Sequence, residues 1–145
     1  MNSNRETTLQ SYGALLLRLT LGVMLLAHGL LKVLVFTVPG TVQFFESQGF
    51  PGALAYAVIA AEIGGGLLMI AGVRARWVAL ATVPLLLGAA SVHLPNGWLF
   101  SAPGGGWEYP VFLAAAALVQ FLIGDGAWAL DKLAIQRRAE LSAAH

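Results

Sequence analysis

The sequence predicts an all-α membrane protein, a four-transmembrane-helix antiparallel bundle. Three observations carry that expectation. First, 58% of the 145 residues are hydrophobic and 10% are charged, against about 25% charged in ordinary soluble domains. Mean hydropathy is +0.76, so the chain lacks the polar surface that a water-facing globule needs. Second, four apolar runs stand apart, at about 14–36, 53–71, 76–94 and 108–123, and a span needs roughly 20 such residues to cross a core of ~30 Å. Third, those runs lack the period-two alternation of strands. Residues 1–145 are therefore expected to form a single transmembrane domain.

Composition also removes chemistries. There is no cysteine, which rules out a thiol relay, a disulfide frame, iron–sulfur ligation and cysteine–zinc sites. Net charge is +1 with no basic tract, so nucleic acid is not an expected partner. The bilayer is.

The lead-in MNSNRETTLQSYG resembles the start of a secretory signal, but Arg18 interrupts the apolar stretch and no small-x-small cleavage site follows. It reads as part of a retained first span. That span carries RLTLGVMLLAHGLLK, residues 18–32. At about 100° per residue, Arg18, Gly22, His28, Gly29 and Lys32 share roughly a third of the helix circumference. Lipid suits the other face; this one needs protein against it. Fourteen Leu, Val and Phe residues supply about −6 kcal/mol of insertion energy, nearly cancelled if Arg18 and Lys32 sat at the centre. Neither does, and each can snorkel toward an opposite interface.

The first connection, GTVQFFESQGFPG, suits a short interfacial helix holding Phe44 and Phe45. The second span centres on Glu62, with Gly65 and Gly66 within about 60° of it on the helix. Small residues there permit close approach by a neighbour. The short turn GVRAR makes the second and third spans a tight hairpin, and Pro84 is expected to bend the third. Trp98, Phe100, Trp107 and Tyr109 in the next connection suit an aromatic belt. The short fourth span starts at Glu108, and KLAIQRRAELSAAH reads as an amphipathic surface tail.

Arg5, Arg74, Arg76, Lys132, Arg137 and Arg138 fall on one side, and the two longer loops contain no Lys or Arg. The positive-inside bias makes both termini cytoplasmic. On that topology His28, Lys32, Glu62, His93 with Asn96, and Glu108 come from all four spans and converge on the outer half. Arg18 lies in the inner half, as a structural anchor or a lower partner for Glu62. A carboxyl near the midplane needs a partner: Glu62 reads as a proton acceptor, or as a structural partner of Lys32 or Arg18. His28 serves as a packing residue or a ligand group. Bis-histidine haem ligation is disfavoured because His93 lies nearer the surface than His28, and the spacing matches no zinc motif. The glycines at 64–66 lack the context of a phosphate loop.

RLTLGVMLLAHGLLK, FFESQGFPGALAYAVIAAEIGGGLLMIAG, GVRARWVAL, HLPNGW…GGGWEYP and GDGAWALD together resemble the DoxX family of small four-span membrane proteins. The likeness covers roughly Leu16 to Leu133, with a remoter likeness to cargo-receptor membrane proteins. It implies a bacterial inner-membrane protein described as an oxidoreductase component or linked to quinone-dependent chemistry. The matching polar positions are Arg18, His28, Lys32, Glu62, His93, Asn96, Gly97 and Glu108.

The leading expectation is an electron-transfer subunit that binds a quinone, or a similar apolar carbonyl compound, in the outer half. His28 and His93 would hydrogen-bond the head group, with Asn96 and Glu108 beside them. Lys32 would stabilise negative charge and Glu62 would exchange the proton. Such a chain needs a soluble or membrane redox partner, and a homo-oligomer is open. The alternative is a non-catalytic membrane anchor or scaffold for a redox or stress-response complex.

Overall fold

The computed structural model describes residues 3–143. The side chains of Arg5 and Arg138, counted above for orientation, lie outside the described residues. Helix α1 spans Ser3–Leu34, α2 Val38–Ser47, α3 Ala53–Ala71, α4 Ala75–His93, α5 Glu108–Ile123 and α6 Leu130–Ala143. One turn of 3-10 helix, Leu94–Asn96, extends α4, and the described residues contain no strand. Helices α1, α3 and α4 are long and apolar enough to cross a membrane, while α5 is a shorter apolar helix.

Helix α1 starts well before the apolar run. Its 32 residues make a rod of about 48 Å, longer than a hydrocarbon core of ~30 Å. The polar lead-in is helical because nothing breaks it, and Glu6 in the first turn favours the positive end of the helix dipole.

Thr37 then turns the chain, with φ of 62°, and its Oγ1 accepts the Gly40 N–H at 3.2 Å to cap α2. The buried Thr41 hydroxyl lies 3.1 Å from the Lys32 carbonyl and 3.0 Å from that of Thr37. This ties the short helix to the end of α1.

Helices α1 and α3 run antiparallel with their backbones in contact. A Cβ on Gly66 would lie 2.7 Å from Leu26 N and 2.8 Å from the Gly22 carbonyl oxygen. A Cβ on Gly29 would lie 3.1 Å from Glu62 Cβ. Glycine is what lets the two helices approach so closely. Gly65 faces the other way, toward Val78 of α4. Helix α4 packs along α5, α3 also touches α4, and α1 touches α5. Leu21, Leu25, Met69, Leu86 and Ala117 fill the centre. Val23, Leu67, Leu87, Phe112 and Leu122 stay exposed, an outer surface suited to lipid.

The α6 end is clasped by the segment after α5. Gly124 stops that helix with φ of 83°, and Gln120 Nε2 donates to its carbonyl at 2.6 Å. Asp125 Oδ1 accepts the Arg76 N–H at 2.6 Å and Asp131 Oδ2 accepts that of Arg74 at 2.7 Å. The two aspartates thus satisfy free N–H groups at the start of α4. The Ala127 N–H reaches the Ser11 carbonyl at 3.0 Å. Helix α6 follows with Leu133, Ile135 and Leu141 exposed.

Candidate functional site

At the opposite end, under α2, lies a cavity of about 540 Å³. Helix α1 contributes Met24, His28 and Lys32, α3 contributes Glu62, and α4 contributes Thr82 and His93. Phe44, Phe45, Gln48 and Phe50 cover it, and Tyr109 of α5 closes the far side. Most of the remaining wall is aliphatic.

The antiparallel register of α1 and α3 sets the polar centre. Lys32 Nζ lies 2.8 Å from Glu62 Oε1, with the lysine side chain 19% and the glutamate side chain 6% exposed. The pairing left open by the sequence is thus Glu62 with Lys32. Glu62 Oε2 is buried and has no hydrogen-bond partner among the described residues. One oxygen is held and the other is free.

His28 Nδ1 lies 2.8 Å from the Met24 carbonyl. A carbonyl only accepts, so Nδ1 carries the proton. The ring stacks on Tyr109 with centroids 6.2 Å apart and planes at 27°. The Tyr109 hydroxyl points to Met24 Sδ at 3.6 Å. His93 repeats the pattern, with Nδ1 3.1 Å from the Gly104 carbonyl.

Asn96 and Glu108 stand apart from this wall. Asn96 Nδ2 donates to the Gly104 and Gly105 carbonyls at 3.0 and 2.9 Å, and Glu108 Oε1 accepts the Phe100 N–H at 2.8 Å. Both hold the loop beside the site. Arg18 is at the clasped end, 1% exposed, where Nη2 donates to the Ala127 carbonyl at 3.2 Å and the guanidinium lies against Gly72. The structure therefore brings Lys32, Glu62, His28 and His93 to one cavity. Among the described residues, no three His, Cys, Asp or Glu side chains are grouped to hold a metal ion.

Sequence reasoning missed Tyr109, Thr82 and Gln48. Tyr109 looked like a belt aromatic because it follows Trp107. Its place in the first turn of α5, whose starting residue had been recognised, was the available signal. Thr82 was visible as a hydroxyl inside an apolar run, but its facing depended on the α3–α4 packing.

The cavity has a side opening. Ala57 and Ala61 of α3 and Ala81, Pro84 and Gly88 of α4 line it and are also exposed. These small side chains leave a gap between the two helices on the face suited to lipid.

A family model described as DoxX matches residues 13–95. The chain belongs to the DoxX family. Among its relatives is a Bacillus subtilis (strain 168) protein named "Putative oxidoreductase CatD", 34% identical over 120 residues, covering 82% of this chain and 84% of that one. Another is the Escherichia coli (strain K12) "Inner membrane protein YqjF", 28% identical over 127 residues, covering 86% and 94%. No solved structure matches significantly. The stretch matched to DoxX holds Arg18, His28, Lys32, Glu62 and His93, whereas Tyr109 and the Asp125 clasp lie beyond it.

Proposed function

We propose that this DoxX protein is a membrane redox subunit that binds a quinone-class ligand, or a similar apolar carbonyl compound, in the cavity beneath α2. The observation that carries this reading is the Lys32–Glu62 pair, with one free carboxylate oxygen, on the wall of a largely apolar cavity. Ionisable side chains at membrane depth are costly, and where they face a cavity they mark ligand or proton pathways. A largely apolar pocket with a few converging polar groups is the usual form of a small-molecule site.

Each side chain has a part in this reading. The aromatic cover and aliphatic walls hold an apolar ring and its tail. Tyr109 and His28 flank the head group, and His93 meets it from α4. The Lys32 ammonium has two further N–H bonds to offer to a developing oxyanion. Glu62 Oε2 takes or returns a proton while Oε1 stays on Lys32. Interconverting a quinone and its quinol moves two electrons and two protons: a redox partner exchanges the electrons, Glu62 Oε2 relays one proton and Nε2 of His28 or His93 the other.

In this reading the apolar helices form a four-span bundle in the bacterial inner membrane with both termini cytoplasmic. Support comes from Arg74, Arg76, Lys132 and Arg137 gathering at the α6 end and from the printed name of the Escherichia coli relative. A second reading, a scaffold for a redox or stress-response complex, draws on the exposed Leu133, Ile135 and Leu141 of α6. Gentle purification followed by lipid extraction and mass spectrometry separates the two. Quinone or quinol that co-purifies and falls in occupancy in a folded His28→Ala variant supports the redox subunit; binding of neither form at any added concentration supports the scaffold.

A further inference from the structure

The hydrogen-bond polarity of the cavity selects between the two forms of a quinone couple. Side chains around it have already committed their protons. His28 Nδ1–H points to the Met24 carbonyl and His93 Nδ1–H to the Gly104 carbonyl, an arrangement that leaves Nε2 as the accepting atom of an imidazole in its neutral form. The Thr82 hydroxyl donates to the Ala79 carbonyl at 2.8 Å, and the Tyr109 hydroxyl is directed at Met24 Sδ. Glu62, 5% exposed, offers Oε2, which as a carboxylate oxygen only accepts.

Lys32 and Gln48 supply donors, but they do not discriminate. A hydroxyl oxygen accepts from an ammonium or an amide just as a carbonyl does. Discrimination falls to the acceptors. A quinone carbonyl leaves the buried Glu62 Oε2 unpaired, and a buried acceptor without a donor carries the full desolvation cost; the half-buried histidine Nε2 atoms add further acceptors to the same wall. A site whose buried polar groups need a ligand O–H rejects the analogue that lacks it.

We infer that the cavity recognises the reduced, dihydroxy-aromatic form of its ligand, a quinol, whose O–H groups donate to Glu62 Oε2 and to Nε2 of His28 or His93. This rests on the quinone-class reading above and goes beyond it in naming the redox state that binds more tightly.

The test is anaerobic binding of durohydroquinone, duroquinone and durohydroquinone dimethyl ether to the full chain in lipid nanodiscs, corrected for uptake by empty nanodiscs. The three probes share a ring and differ in what their oxygens offer. The diol is expected to bind at least tenfold more tightly than the quinone or the ether. A tenfold preference raises the potential of the bound two-electron couple by about 30 mV, an independent readout on the unmodified protein. In His28→Phe, which keeps an aromatic ring beside Tyr109, the preference is expected to fall several-fold. Quinone binding as tightly as the diol overturns the inference and leaves the proposed function standing. Ether binding as tightly as the diol also overturns it, because O–H donation is then not what is recognised. If none of the three binds, the inference and the proposed function fall together.

Discussion

Lys32 Nζ and Glu62 Oε1 meet at 2.8 Å across the α1–α3 contact, 30 positions apart in the chain. The glycines of the two helices set that register, so the pair results from backbone packing as much as from charge. Removing one member leaves a buried partner uncompensated. Lys32→Met is expected to destabilise the protein by about 3–5 kcal/mol, and combining it with Glu62→Leu should recover most of that loss. Denaturant unfolding in detergent micelles measures both; an unchanged midpoint in Lys32→Met would mean that the pair does not hold the helices.

Two neighbouring glycines should respond oppositely to the same substitution. A Cβ on Gly66 meets the α1 backbone, whereas one on Gly64 meets nothing within 4 Å. Gly66→Ala is expected to cost about 1–3 kcal/mol through overpacking. Gly64→Ala should be neutral or stabilising by up to about 1 kcal/mol through helix propensity. Thermal unfolding of the two variants side by side decides this.

The clasp at the α6 end should affect stability without touching ligand binding. Asp125→Ala frees the Arg76 N–H at the start of α4, a loss of about 0.5–2 kcal/mol typical of a helix cap. Because the two sites lie at opposite ends of the helices, the cost should add to that of Lys32→Met within about 0.5 kcal/mol. Affinity for durohydroquinone in the same variant should equal that of the unmodified chain.

The gap between α3 and α4 is expected to be the way in from lipid. Gly88 is exposed, lines the cavity and has open space around it, so Gly88→Trp can fold and still cover the opening. Loading of a long-tailed quinone from vesicles should slow by roughly an order of magnitude or more, since an indole ring is large beside such a gap. Leu87→Trp, on the same helix but outside the cavity wall, is the control and should load normally. Equal rates in the two variants would place the entrance elsewhere.

Much of the architecture was legible because hydropathy reports directly on helices that face lipid. The apolar runs appear as helices, and α2 forms within the loop where Phe44 and Phe45 pointed to a short helix. The start of α1 was not legible, because residues 3–13 are polar and helical at once. In the site, Glu62 stood out as a carboxyl in an apolar run, but its partner did not. Arg18 and Lys32 lie on the same face of α1, and only the Gly22–Gly66 contact decides which of them it reaches. Asn96 and Glu108 looked like ligand groups from depth alone. Their bonds to the loop backbone depend on how residues 97–107 fold, which no periodicity encodes. The clasp was visible as GDGAWALD, yet its purpose required α4 to begin beside it.

Photolabelling with an azidoquinone, mapped by peptide mass spectrometry, tests the central claim most directly. The cavity beneath α2 predicts labels on Met24–Lys32, Leu54–Glu62 and Pro84–His93, all removed by excess durohydroquinone. Labels confined to Arg74–Trp77 and Asp125–Asp131, or unaffected by the competitor, would contradict it.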